Sequence, residues 1–235
     1  MSQQYTHYRS HMFSLAESEL ELHENLITCV IFSNNELVCV SNDNKELKAK
    51  IICIKPGVNH RVSIPAGGAE ILYFDGVNLS ANFTAFESLE SEWEHIPAAF
   101  KKYEFDIIES FRIFLNGGKT SPNLPILAVI EELYSSPLDR MTQDKLAEKL
   151  GLERTQALKY FKSVTGQTFR RFKKWAASVT VISNVFNGQN ISLAGIDAGF
   201  SDAAHTSRTA RELFGLTPSS GANSLRNITT LVQRS

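Results

Sequence analysis

The period of the apolar residues changes once along this chain of 235 residues, near residue 88, and that change constrains the fold more than any other feature. Before it, apolar residues come in short runs closed by Gly, Pro or Asn. After it they recur every three or four positions. The first pattern is that of strands, the second that of helices with one buried face. Between residues 13 and 86, "LITCVIF" and "ELVCV" flank Ser33-Asn34-Asn35, which reads as a hairpin turn because Asn tolerates a positive φ. "KAKIICIK" stops at Pro56-Gly57, "HRVSIP" at Pro65 and the Gly67-Gly68 turn, and "AEILYFD" at Gly76. Short strands punctuated in this way predict a small barrel or sandwich.

After the acidic "SLESEWEH", Phe100, Tyr103, Ile107, Ile108, Phe111, Phe114 and Leu115 predict one helix over 97–116, stopped by Gly117-Gly118. A second is expected over 123–134, broken by Ser135-Ser136-Pro137. This apolar pair suits a core or a dimer surface. Beyond residue 140 the pattern is helical throughout. Thr142 caps "QDKLAEKL" and Gly151 ends it; "RTQALKYFKSVTG" follows; a long helix spans 168–186; then "SLAGIDAG" leads through a turn into "DAAHTSRTARELFG". These are two helix-turn-helix units joined by a linker helix. The expected fold class is therefore α+β, with a small β-rich domain over 1–92, a helical connector over 93–138, and an all-α tandem helix-turn-helix domain over 139–235.

Charge divides along the same line. From Arg140 onward there are 14 Lys and Arg against 6 Asp and Glu, a balance of +8, while the first 139 residues hold 10 basic and 19 acidic residues, a balance of −9. A basic C-terminal unit suits nucleic acid, because neutralising phosphates supplies most non-specific affinity; a plain solvated surface is the alternative. Nothing approaches the ~18 consecutive apolar residues of a membrane span, and "MSQQYTHYRSH" lacks the apolar core of a signal peptide. Cys29, Cys39 and Cys53 lie singly in apolar runs and read as buried thiols of a cytoplasmic protein, with redox sensing as the alternative.

The C-terminal part resembles the tandem helix-turn-helix domain of the AraC-type bacterial transcription regulators. The residues that carry the resemblance are "LAEKLGL" (146–152), "ALKYFKSVTGQTFRRF" (157–172) and "AGFSDAAHTSRTARELFGLTPS" (198–219). It implies double-stranded DNA as partner, read by one helix of each unit in the major groove. In the first unit the outward stripe is Arg154, Thr155, Leu158 and Lys159, with Ala157 and Phe161 turned in against Leu146 and Ala147. Arg154 and Lys159 suit a guanine edge or a phosphate, Thr155 a base edge, and Leu158 only an apolar contact. In the second unit the stripe is Ala203, Ala204, Ser207, Arg208 and Arg211. Arg170, Arg171, Lys173 and Lys174 are phosphate candidates on the linker helix.

This chain departs from the family at several of these positions. Ala203 and Ala204 stand where long polar side chains are usual and cannot hydrogen-bond bases. On the inward stripe, ahead of Leu213 and Phe214, Thr206 stands where Phe or Leu is usual and Ala210 where Phe is usual. Glu153 replaces the usual serine cap. The second unit is thus expected to anchor more than it reads, and to have a thin core.

Residues 55–75, "KPGVNHRVSIPAGGAEILYFD", resemble the cupin-like sensor domain of the same regulators. That implies a small-molecule effector of unidentified class. Metal cupins need a His-x-His and a Glu converging on one ion; only His60 stands in such a place, and the His7/His11 pair lacks a helix around it, so no metal is expected. No nucleophile elbow or phosphate loop accompanies the Ser, His and Asp residues, so no catalytic residue and no cofactor are expected. Dimerisation through residues 97–134 is the remaining expectation. A regulator-like protein acting by protein pairing and a cupin-type enzyme are the alternatives to a DNA-binding regulator.

Overall fold

Strands that are apolar on both faces and strands that are apolar on one separate into two sheets. The computed structural model describes residues 9–80, 82–118, 124–135 and 141–232. In chain order the strands are β1 (Arg9–Leu15), β2 (Ser18–Glu24), β3 (Thr28–Ser33), β4 (Val38–Ser41), β5 (Glu46–Ala49), β6 (Ile51–Ile54), β7 (Asn59–Ile64), β8 (Ala69–Phe74), β9 (Phe86–Ser88) and, at the far end of the chain, β10 (Leu225–Val232). One antiparallel sheet runs β10-β1-β8-β3-β6-β9 and the other β2-β7-β4-β5.

In the six-stranded sheet, alternate residues serve two cores. Cys29, Ile31, Ile52, Ile54, Ile71 and Tyr73 face the second sheet and pack with its Leu20, Val38, Val40, Val62 and Ile64. Their neighbours Val30, Phe32, Ile51, Cys53, Leu72 and Phe74 face outward and are covered by helices α1 (Ile96–Lys101) and α2 (Phe105–Leu115), through Phe100, Ile108 and Phe111. Burial on both faces is why these strands read as unbroken apolar runs. The four-stranded sheet keeps a wet outer face, so Glu19 and Glu21 flank buried Leu20.

Two local expectations change. β3 and β4 do not form a hairpin, because each belongs to a different sheet. Residues 33–35 are instead a crossing between sheets, tied by the Ser33 hydroxyl to Glu36 O and by Asn34 N to Gly68 O at 3.1 Å; among the described residues only Tyr103 has a positive φ without being glycine. That tyrosine (φ 59°) marks the second change, since it splits the single helix expected over 97–116 into α1 and α2. The break lets Phe100 and Phe111 both reach the sheet. The expected apolar connector is therefore core: α2 lies on the sheet, and α3 (Leu124–Ser135) buries Ile126, Val129, Ile130 and Tyr134 in the core that continues into the C-terminal half. The expected break at Ser136-Pro137 and residue 123 lie outside the described residues, as does His7.

The C-terminal half is α4 (Gln143–Leu150), α5 (Arg154–Thr165), α6 (Phe169–Phe186), α7 (Ile191–Asp197), α8 (Ala203–Phe214) and α9 (Pro218–Ser224). It is not helical to its end. β10 leaves α9 and pairs along all of β1, from Arg9 opposite Val232 to Leu15 opposite Leu225. A polar strand such as "LRNITTLV", with one face exposed, suits a sheet edge, and its weak alternation hid it in the sequence.

Trp175 on α6 joins the halves. It is fully buried, its ring centroid lies 4.9 Å from Tyr73 of β8 and 5.3 Å from Phe214 of α8, and its indole N–H donates to the Tyr134 hydroxyl at 3.0 Å. Aromatic pairs at such separations add to area burial. We expect Trp175→Ala to cost about 3–5 kcal/mol. Urea denaturation measures it, and a loss under about 1 kcal/mol, as at a surface site, would mean that the halves do not share this core.

Candidate nucleic-acid interface

Each helix-turn-helix unit is set by caps at fixed places. The Thr142 hydroxyl accepts from Lys145 N at 3.1 Å to start α4, and Gly151 ends it in the left-handed region (φ 62°). α5 then starts at Glu153 with no side-chain cap, as its sequence implies. Ala157 and Phe161 are fully buried with Leu146. That fixes the opposite stripe outward: Arg154, Thr155 and Lys159 are exposed. Leu158 is half-buried against the core, so little of it remains for a thymine methyl. Arg154 is held over α4 by two hydrogen bonds to Gln143 Oε1, at 2.9 and 2.6 Å.

In the second unit, Asn190 caps α7 by accepting from Ser192 N at 2.8 Å, and Asp202 caps α8 by accepting from His205 N at 2.7 Å. This backbone bond, together with Ser201, holds the Asp202 carboxyl below the usual range. Ala204, Arg208 and Arg211 are exposed; Ala203 and Ser207 are half-buried. Two small residues replace bulk on the inner side. Thr206 is buried and donates to Asp202 O at 2.9 Å, and a Cβ at Gly195 would stand 2.3 Å from its hydroxyl oxygen. α7 and α8 therefore touch directly at Gly195 and Thr206. At Ala210 the space is not closed: it borders an apolar cavity of about 70 Å³ lined by Phe13, Leu20 and Tyr73 of the sheets, Val181 and Val185 of α6, and Phe214.

Most of the linker cations are engaged. Arg170 is exposed, but Arg171 Nη2 lies 2.8 Å from Glu24 Oε1, Lys174 donates to Glu212 at 2.6 Å, and Lys173 donates to Met141 O at 2.8 Å while lying over the Phe169 ring. Arg211 Nε is 3.4 Å from Glu21 Oε2.

Several buried polar groups carry no sequence signal. Asp75 ends an apolar strand and is wholly buried where β8, α3 and α6 meet. Burial pushes its carboxyl up to about 7, against the pull of the Tyr134 hydroxyl, Arg9 and Trp175. His11, on the same junction, is pushed down to about 3 by burial and by Arg9. His60 is buried at the start of β7 with its ring centroid 4.2 Å from that of His23 across the strand pair. Each ring meets a backbone carbonyl through Nδ1, Glu21 O at 2.7 Å and Val58 O at 2.8 Å, so Nδ1 carries the proton. Burial lowers both, His23 to about 3. Among the described residues no three His, Cys, Asp or Glu side chains gather as a metal site would need. Cys29 and Cys53 are buried thiols raised by burial, whereas Cys39 is half-exposed. No helix among the described residues is long and apolar enough to cross a membrane.

Residues 146–223 match the family model of a helix-turn-helix domain. No curated protein matches the chain. Among solved structures, the apo form of a ToxT variant from Vibrio cholerae aligns over 96% of this chain and 100% of its own, with a TM-score of 0.60 at 11% identity. Wild-type ToxT from the same organism, bound to an unsaturated fatty acid, aligns over 96% of this chain and 98% of its own, with a TM-score of 0.57 at 12% identity. At such identity the likeness is one of fold, and it extends over both halves.

The Asp75 carboxyl sets a pH dependence. It titrates near 7 in the fold and at its ordinary 3.8 once unfolded, so between these values the folded chain holds the extra proton. Its contribution to stability is present at the acid end of that window and is lost as pH rises through about 7. Buried His11 and His23 slope the other way, losing stability as pH falls from 6.5 toward 3. Asp75→Asn removes only the first slope. The stability of the variant relative to the parent should therefore rise from pH 4 to 8; urea denaturation at several pH values checks this, and parallel profiles would refute it.

Proposed function

We propose that this chain is an AraC-type regulator that regulates transcription by binding double-stranded DNA through both of its helix-turn-helix units, a reading supported by the helix-turn-helix domain match over residues 146–223. The observation that carries the reading is the outward stripe of Arg154, Thr155 and Lys159, which the burial of Ala157 and Phe161 holds clear of the core. Arg208 supplies the corresponding cation on α8. α6 has 18 residues, about 27 Å at 1.5 Å per residue, which suits two recognition helices set in major grooves about 34 Å apart. The first unit carries more of the sequence reading, because Ala203 and Ala204 offer bases no hydrogen bond. In this reading the chain needs no catalysis.

Lys159→Ala and Arg208→Ala should each weaken operator binding by about 1–3 kcal/mol if they meet base edges. The operator is found by crosslinking the protein in cells and sequencing the bound DNA, and affinity is read by mobility shift. Equal affinity of both variants and the parent would overturn these roles. Binding that is indifferent to sequence would favour a regulator working by protein pairing.

The β-rich half acts in this proposal as a sensor of an apolar small molecule. The cavity beside Ala210 supports it, since its lining is apolar and comes from both halves, so that a ligand there feels their relative position. The named ligand of one ToxT structure, an unsaturated fatty acid, has the same apolar character. A small apolar ligand such as a short-chain fatty acid, whose tail a cavity of about 70 Å³ can take, should raise the melting temperature of the parent, by mass action on the folded state. Ala210→Phe, which occupies the cavity, should lose that response. An equal shift in both would place the ligand elsewhere.

A further inference from the structure

Helix α6 carries a stripe that its apolar face does not absorb. Arg170, Lys173, Lys174 and Ala177 recur at i, i+3, i+4 and i+7, which sets them in one row along the helix. The row borders a pocket of about 320 Å³, against about 70 Å³ for the cavity beside Ala210. The other walls are Leu133 of α3, Met141 just ahead of α4, and the turn from α7 into α8. The pocket therefore lies between the two helix-turn-helix units. Among the described residues no strand lines it, which separates it from the cavity beside Ala210.

Its lining is that of a ligand site rather than of a bare basic surface. The inner walls are apolar, with Leu133, Met141 and Ala198 buried. Two small residues keep the space open, Ala177 on α6 and Gly199 in the turn. Phe200 and His205 form one aromatic wall, edge to face with their centroids 5.2 Å apart. The rim is cationic. Lys173 is oriented by Met141 O at 2.8 Å and Lys174 by Glu212 at 2.6 Å, while Arg170 is exposed and no carboxylate among the described residues pairs with it. Glu212 and Asp202, the cap of α8, stand outside the lining, so no described residue that lines the pocket carries a carboxylate. Apolar walls with a few convergent polar groups are how pockets of this size select and orient a ligand. Here the polar groups have one sign, so they select an anion. The backbone phosphate of a duplex meets only the rim, because burying it against Leu133 and Ala198 would strip its water without return.

We propose that this pocket binds a small organic anion, a carboxylate on a flat apolar body. The carboxylate is taken by Arg170 in the field of Lys173 and Lys174, since a guanidinium fork matches a carboxylate. The body lies over Ala177 against the Phe200–His205 wall, where aromatic rings pack well. A ligand held there touches Met141 at the start of the first unit and the turn of the second, and so fixes one unit against the other. Binding of this kind needs no DNA.

The probe is 2-naphthoate, titrated calorimetrically into the full chain without DNA. Two analogues separate its parts: the matching naphthalenemethanol keeps the body without the charge, and inorganic phosphate keeps the charge without the body. Each should bind about tenfold more weakly or worse. Arg170→Gln should weaken 2-naphthoate about tenfold, the worth of one charge-assisted hydrogen bond. Ala177→Phe, which fills the pocket, should abolish binding with native circular dichroism; if that variant does not fold, the exposed Arg170→Gln still decides. Ala210→Phe, which fills the other cavity, should leave binding unchanged. No heat from the parent, or unchanged affinity in Arg170→Gln, would overturn the proposal. So would equal affinity for naphthalenemethanol, equal affinity for phosphate, which would mean a bare basic surface, or loss of binding in Ala210→Phe, which would place the ligand elsewhere.

Discussion

The contact of Trp175 with Tyr73 and Phe214 is the one on which the arrangement of the whole chain depends. Without it there would be a sandwich, closed by its own side chains, and a helical unit, closed by others. With it the inner face of the six-stranded sheet, the connector helix α3 and both helix-turn-helix units share one continuous core. An indole is suited to such a place because its apolar body fills the junction while its N–H still needs a partner, here the Tyr134 hydroxyl. The buried Asp75 beside them adds a polar element that ordinary packing would avoid. The junction is therefore well packed and sensitive to its state of protonation.

How much of this was legible depends on the range of the interaction. Several helix boundaries were legible, because caps such as Thr142 and Gly151 act within four residues of their partners. So was the stripe of Arg154, Thr155 and Lys159, because a helix fixes its outer face once its inner face is known. The apolar runs announced the strands but not their partners. "LITCVIF" and "ELVCV" are adjacent in sequence and lie in different sheets, the first buried on both faces and the second on one, a difference that two short apolar runs do not announce. Tyr103 was hidden because an apolar helical period continues across it, while its positive φ restarts the helix. β10 was the least legible element, because its partner β1 lies more than 200 residues away and its own alternation is faint.

Charge was legible in total and misleading in detail. The balance of +8 from Arg140 onward suggested a free basic face, yet Arg171, Lys174 and Arg211 each pair with a carboxylate. The acidic first half and the basic second half are partners of each other in this arrangement. A sequence gives net charge by segment; only the fold says which charges have already been neutralised.

The two helix-turn-helix units are unequally packed. The first packs Phe161, Phe169 and Phe172 into the main core, ring against ring at 5.3 and 5.5 Å. The second keeps only a small core of its own, around Val181, Ala194 and Ala198, and leaves a cavity at Ala210. Its helices α7 and α8 meet through Gly195 and Thr206, which fit closely but bury little. The second unit is nevertheless held to the main core through Leu213 and Phe214 of α8, so its weaker packing is confined to α7 and to the cavity at Ala210.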